Sequence, residues 1–436
     1  MAKGFNFNID RCVACHACLL ACSLENKLDR PWRMVIGDND NYYPGLPVHN
    51  ISMACNHCED APCMKGCPTG AYYRDELFGT VQINSDRCIG CQYCYWNCPY
   101  DAPVYNSDKK EIEKCNLCFS RLKEGISPAC VSACPTGALS FSDINPEIEQ
   151  HYFAASDTLP GLSVSVSPGL LSSKPEIVPA DNCLNAEKYL APNKGKTSVY
   201  REWSLIVFTY MTSLLFALNI SNWYGNTKIT PELYLVLTAL TLLIPFFHLG
   251  KPYKAWKSAT GVLKSPLSNE IVSLLLFSSS SVVAYFLSLN ELWIASFVMG
   301  FLMLVSVDSV YTFSDSRFSF KIHPGQTFLS GLLIASYFMD AGVPFIFVSI
   351  LKIITSIYYI YAGDRQKGFI IFTIIQAIVL TYLISVILRN TEVSIIPISL
   401  LLISELTGRV FYYIHFSPAS LIRTYFDTNI FKNEKT

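Results

Sequence analysis

Residues 88–99 read CIGCQYCYWNCP and place Cys88, Cys91, Cys94 and Cys98 in a C-x2-C-x2-C-x3-C run closed by Pro99. Three cysteines at that spacing let one tight loop wrap a [4Fe-4S] cubane, while the fourth, on the helix that follows, reaches a neighbouring cluster. Cys12, Cys15, Cys18 and Cys22 repeat the run, and Cys55, Cys58, Cys63, Cys67 and Cys115, Cys118, Cys130, Cys134 complete four groups. Proline follows the last cysteine at Pro68, Pro99 and Pro135, whereas Ser23 takes that place in the first group. Proline is not a ligand, so the departure leaves the reading intact. Four runs make two reciprocal pairs, and the spacing predicts four clusters.

Structural zinc uses pairs of C-x2-C motifs, but it explains neither the third cysteine of each complete run nor the following proline. Cys12-Val13-Ala14-Cys15-His16 also matches the C-x-x-C-H haem attachment motif. Both of its cysteines already belong to a complete ferredoxin run, and haem attachment requires an exported chain. The opening MAKGFNFNIDRC has neither an apolar h-region nor a twin arginine, which predicts metal-bound thiolates in a reducing compartment rather than a disulfide scaffold. Cys183 has no partner at ligand spacing and reads as a free thiol.

Outward from the cysteines, the 436 residues are 51% hydrophobic and only 15% charged, which predicts that part of the chain lies in a membrane. A net charge of -1 offers no basic footprint for phosphates and argues against a nucleic-acid partner. Sixteen of the 17 cysteines precede residue 135, and every long apolar segment follows residue 200. The expected domains are a cluster domain over 1–141, an extended connector rich in Pro, Ser, Asn and Lys over 142–202, and a membrane domain over 203–436. Apolar segments recur at 203–222, 232–249, 269–289, 292–313, 325–341, 343–362, 369–388 and 394–414. Each is near the ~20 residues needed to cross ~30 Å of hydrocarbon. They lack a polar face and are joined by short loops, unlike the helices of a soluble domain. The expected fold is an α+β double ferredoxin-like iron-sulfur domain followed by an all-α bundle of eight transmembrane helices.

Loops on the side of the cysteine domain carry Lys251, Lys254, Lys257, Lys264, Arg317, Lys321, Arg365 and Lys367, and the tail adds Arg423, Lys432 and Lys435; the opposite side has Lys228 and Arg389. The positive-inside rule then predicts an inner-membrane protein with its iron-sulfur domain and C-terminus in the cytoplasm.

The strings CNHCEDAPCMKGCPTGA (55–71), CIGCQYCYWNCPYDAPVYN (88–106) and KCNLCFSRLKEGISPACVSACPTGAL (114–139) resemble the four-cluster electron-transfer subunit of the dimethyl sulfoxide reductase family of molybdenum enzymes, over residues 5 to about 141. The resemblance implies that the first group pairs with the fourth and the second with the third. The clusters would then sit at Cys12/Cys15/Cys18/Cys134, Cys115/Cys118/Cys130/Cys22, Cys55/Cys58/Cys63/Cys98 and Cys88/Cys91/Cys94/Cys67. Some relatives carry tryptophan at the position of Cys94 and hold a [3Fe-4S] cluster there; this chain keeps the cysteine. Farther along, FFHLGKPYKAWKSATGVLKSPLSNEI (246–271) and ELTGRVFYY (405–413) resemble the family's haem-free, menaquinol-oxidising membrane anchor. A haem b would need two axial histidines within the bundle, but His248, His323 and His415 fall at helix ends, so no haem is expected.

Ionisable groups within a bilayer mark candidate functional positions. His248, Glu270, Asp308 and Arg409 are expected near one end of the bundle, with Glu405 and Arg409 an i, i+4 pair on the last helix. His248 is the candidate acceptor of a quinol proton, and Asp308 or Glu270 its orienting or relaying group. The alternative for each is to cap, snorkel or brace. Lys352, in mid-helix, needs a partner such as Glu405, which sequence cannot place beside it.

The expected activity is electron transfer from menaquinol, drawn from the quinone pool, through four [4Fe-4S] clusters to a molybdopterin-containing catalytic subunit. S- and N-oxides, sulfur oxyanions and nitrate are the candidate terminal substrates, and a cytoplasmic setting favours assimilatory nitrate reduction. Alternatives are reverse flow from a formate-type dehydrogenase into quinone and an ion-translocating redox module.

Overall fold

The computed structural model describes residues 2–37, 50–145, 158–165, 199–225, 229–314, 326–362, 367–388 and 395–415. Cys183, His323, Lys228, Arg317, Lys321, Arg365, Arg389, Arg423, Lys432 and Lys435 lie outside them, as do the side chains of Lys367 and His415. The described chain forms two compact units, residues 2–165 and 199–415.

The first unit runs β1 (Ala2–Asn8), α1 (Ala17–Asn26), β2 (Met34–Gly37), β3 (Asn50–Met53), α2 (Pro62–Lys65), β4 (Tyr72–Arg74), β5 (Val81–Ile83), α3 (Tyr93–Asn97), β6 (Val104–Asn106), β7 (Glu111–Glu113), α4 (Phe119–Lys123), α5 (Ala129–Ser132), β8 (Leu139–Ile144) and β9 (Leu162–Ser165). β1 is the centre of a three-stranded sheet, antiparallel to β8 with Phe5 opposite Phe141 and parallel to β9 with Phe5 opposite Leu162. β2–β3, β4–β5 and β6–β7 form separate antiparallel pairs. β9 falls within the stretch that composition reads as a connector; four residues are too few to display a period in sequence. Its entry needs glycine, because Gly161 exchanges backbone bonds with Asn56 and Phe5 and a Cβ there would lie 2.8 Å from the Asn56 oxygen.

Helices of four or five residues cannot stand alone. What orders α2 to α5 is a core in which Phe5, Phe7, Met53, Val81, Tyr100 and Ile112 pack in one cluster with the thiols of Cys18, Cys55, Cys63, Cys98 and Cys115. The two Cys-Pro-Thr-Gly segments fold alike. Gly70 and Gly137 have φ of 57° and 62°, and each donates to the carbonyl of its cysteine, Cys67 or Cys134, at 3.3 Å. This internal echo is the double ferredoxin-like pattern.

The second unit is helical: α6 (Val199–Trp223), α7 (Pro231–Leu243), α8 (Pro266–Leu287), α9 (Asn290–Ser314), α10 (Thr327–Phe338), α11 (Gly342–Ala362), α12 (Lys367–Leu388) and α13 (Ile395–His415). Its polarity is inverted relative to a water-soluble bundle. Thr212, Ser213, Asn219, Ser281, Ser296 and Gln376 are buried, while Leu235, Val236, Leu276, Ile294, Ile378 and Ile403 face outward. That surface suits lipid, where burying polar side chains between helices is the favourable choice. Six helices are long and apolar enough to cross a membrane; α10 and the apolar Gly342–Tyr358 part of α11 are shorter. Against the expected eight spans, α10 has only 12 residues, ~18 Å of helix.

Candidate functional site

In each C-x2-C loop of the first unit, the residue before the second cysteine is left-handed: Ala14 at φ 50°, His57 at 45°, Gly90 at 69° and Leu117 at 60°. Three of the four are not glycine, so the same uncommon turn is imposed four times. Turns of alternating hand make concave nests of backbone N–H groups that favour anions, iron-sulfur centres among them.

These loops bring the cysteines together in fours. One cavity is lined by Cys55, Cys58, Cys63 and Cys98, with His57 and Lys114 beside them. The Cys58 thiol lies within electrostatic reach of Cys55, Cys98 and Cys63, and Cys94 within reach of Cys91, Cys67 and Cys88. Cys12 meets Cys18, Cys134 and Cys15. Both Cys115 and Cys118 meet Cys130 and Cys22. Each quartet takes three thiols from one run and the fourth from another. Neighbouring quartets also feel one another, because Cys115 lies within reach of Cys55 and Cys63 within reach of Cys67.

The donor set suits an iron-sulfur cluster. Burial pushes the Cys91 thiol up to about 12 and raises Cys63 and Cys115 as well, so an uncompensated thiolate is disfavoured and a sulfur-binding metal supplies the missing charge. Backbone N–H groups are aimed at sulfur: Ala71 donates to Cys67 at 3.3 Å, Leu117 to Cys115 at 3.4 Å and Leu139 to Cys134 at 3.5 Å. Among the described residues no three His, Cys, Asp or Glu side chains converge on the point that a single ion would occupy. The thiols surround a wider space, as a multi-iron cluster requires and a tetrahedral zinc does not. Sequence reasoning missed two buried cations beside these quartets, Arg33 and Lys114, since neither belongs to a motif.

In the second unit, the candidate quinol residues divide. Asp308 of α9 accepts from the N–H groups of Thr327 at 2.8 Å and Phe328 at 3.0 Å, capping the start of α10. Glu270, buried near the start of α8, lies within reach of the Asp308 charge. Arg409 donates to Thr327 Oγ1 at 3.0 Å and Ser213 Oγ at 2.9 Å, and its charge acts on Asp308. Glu405 is ion-paired with Lys352, whose Nζ also donates to Ser330 at 2.8 Å, and Gln376 adds a contact at 3.5 Å. The partner of the Glu405 carboxylate is thus Lys352 on α11 rather than Arg409 one turn on. Among the described residues, none of these charges acts on His248, which is half-buried at the end of the 3-10 stretch Ile244–His248 with no partner for Nδ1. Ser213, Thr327, Ser330 and Gln376 carried no sequence signal, because polar residues of this kind abound in the helices.

A family profile described as a 4Fe-4S dicluster domain matches residues 48–144. The chain is 39% identical over 176 residues to an iron-sulfur chain of the anaerobic dimethyl sulfoxide reductase of Haemophilus influenzae, covering 38% of this chain and 81% of that one. It is 37% identical over 185 residues to "Probable anaerobic dimethyl sulfoxide reductase chain YnfG" of Escherichia coli, covering 40% and 86%. With "Thiosulfate reductase electron transfer subunit PhsB" of Salmonella typhi it shares 42% over 140 residues, 31% of this chain and 72% of the relative.

Proposed function

Because the chain belongs to the family of iron-sulfur electron-transfer subunits found in anaerobic dimethyl sulfoxide and thiosulfate reductases, we propose that it carries electrons from menaquinol through four [4Fe-4S] clusters to a molybdopterin-containing reductase subunit. The observation that carries this reading is the gathering of sixteen cysteines into four quartets, each drawn from two runs. Cys12, Cys15, Cys18 and Cys134 hold one cluster and Cys22, Cys115, Cys118 and Cys130 the next. Cys55, Cys58, Cys63 and Cys98 hold the third, and Cys67, Cys88, Cys91 and Cys94 the fourth. When bound, the clusters supply one-electron redox chemistry, which the side chains alone do not.

The membrane unit takes the quinol. Quinol oxidation releases two electrons and two protons, and the buried groups Glu270 and Asp308, with His248, are the residues to receive protons. Arg409 holds the start of α10 in place. The domain limits proposed are 1–141, 142–202 and 203–436, with eight helices in the bilayer and the iron-sulfur domain in the cytoplasm of a bacterial inner membrane. No haem takes part in this scheme.

The test is electron paramagnetic resonance on anaerobically purified chain in detergent, before and after a menaquinol analogue. The expected outcome is the appearance of several interacting [4Fe-4S] signals on adding quinol. Signals that follow dithionite but not quinol would reduce the membrane unit to an anchor. His248→Gln is expected to lower the quinol-dependent signal at least tenfold while leaving the dithionite signal intact; an unchanged rate removes His248 from the mechanism.

A further inference from the structure

Arg33 is a cation in an unusual place. It precedes β2, is 2% exposed, and has its guanidinium 4.4 Å from the centroid of the Phe5 ring. Its Nη1 donates to both the carbonyl and the hydroxyl oxygen of Ser52 at 3.1 Å, and that hydroxyl lies 3.3 Å from Cys18 Sγ. Nε and Nη2 are buried with no hydrogen-bond partner among the described residues. The charges that act on it most strongly are the thiols Cys130, Cys115 and Cys18 rather than a carboxylate. Cys18 belongs to one quartet, and Cys115 and Cys130 belong to another.

A buried guanidinium without a carboxylate is strongly disfavoured unless some other anion compensates it. A cluster held by four thiolates is such an anion, and it becomes more negative on reduction. A fixed positive charge close by in a low-dielectric interior therefore favours the reduced state, and net charge and hydrogen bonds near sulfur set the potential. Arginine suits this role because it does not lose its proton.

We propose that Arg33 is a fixed charge shared by the Cys12/Cys15/Cys18/Cys134 and Cys22/Cys115/Cys118/Cys130 sites, raising the reduction potentials of both clusters. Acting through Ser52 on Cys18 and directly on the second quartet, it is a positioning and potential-setting residue. The inference rests on the four-cluster reading above.

The test is an anaerobic redox titration of the full chain in detergent, followed by electron paramagnetic resonance, with iron and labile sulfide counted for the unmodified chain, Arg33→Met and Arg33→Lys. Methionine fills the space without leaving a buried polar group. Two of the four midpoint potentials in Arg33→Met are expected to fall by about tenfold in the reduction equilibrium, ~59 mV for a one-electron couple, while the other two stay. Arg33→Lys is expected to keep all four. Full iron in Arg33→Met with four unchanged potentials overturns the proposal. If Arg33→Met loses iron, Arg33→Lys decides: full iron with unmodified potentials supports a role of charge, and loss of iron there too makes Arg33 a packing residue and ends the proposal. An unmodified chain lacking [4Fe-4S] signals removes the four-cluster reading, and this inference with it.

Discussion

Lys352 and Glu405 sit near the middle of α11 and α13, each buried and paired with the other. Removing one partner of a buried ion pair strands the other charge, which costs about 3–5 kcal/mol, while replacing both with apolar residues is often close to neutral. Lys352→Met and Glu405→Leu are therefore each expected to lower the thermal midpoint of the detergent-solubilised chain steeply, and the double variant to recover most of the loss. A double variant as unstable as the sum of the singles would mean that Ser330 and Gln376, not the pair, carry the stability. The cost of an unpaired mid-helix lysine is legible from the sequence, and so are the acids that could answer it. Which acid does so depends on which helices lie side by side, and side-chain chemistry on one helix carries no record of that. At the cysteines the position is reversed: three of four ligands in each quartet lie within one short run, so local spacing alone groups them.

Among the helices, α10 departs most from its sequence expectation. The apolar segment 325–341 reads as a span, yet the helix is Thr327–Phe338 and begins with its first N–H groups inside the unit. In a bilayer those groups must find partners within the protein. Asp308 supplies them, and Arg409 and Ser213 fix Thr327 from the other side. Asp308→Ala is expected to lower stability by about 1–2 kcal/mol, as loss of an N-cap does, and Asp308→Asn to restore part of it, because the amide oxygen still accepts. A thermal melt of the two variants checks this. Should Asp308→Ala melt like the unmodified chain while quinol-dependent reduction fails, the carboxylate serves the quinol and not the helix. Hydropathy reports where a segment is apolar, but not where its backbone leaves the helix, since that is decided by the neighbouring side chains that satisfy the freed groups.

At the scale of the whole molecule, the two units draw on different sources of stability. The first has strands of three to seven residues and mostly very short helices around a core partly made of cysteine thiols. Because metal binding to such thiols is folding free energy, removing iron by oxidation and chelation is expected to make this unit sensitive to limited proteolysis while the helical unit stays intact. Equal resistance of both units after complete iron loss, followed by mass spectrometry of the fragments, would show that the apolar core suffices. The sequence by itself determined the two-part organisation, the iron-sulfur chemistry and the membrane character, because ligand spacing and hydropathy are local properties that survive without coordinates. Only the tertiary structure decided that β9 completes the β1 sheet, that Lys352 answers Glu405, that Asp308 caps α10 and that Arg33 lies between two quartets. Each of these joins residues far apart in the chain, and such contacts are fixed by packing, which no local pattern encodes.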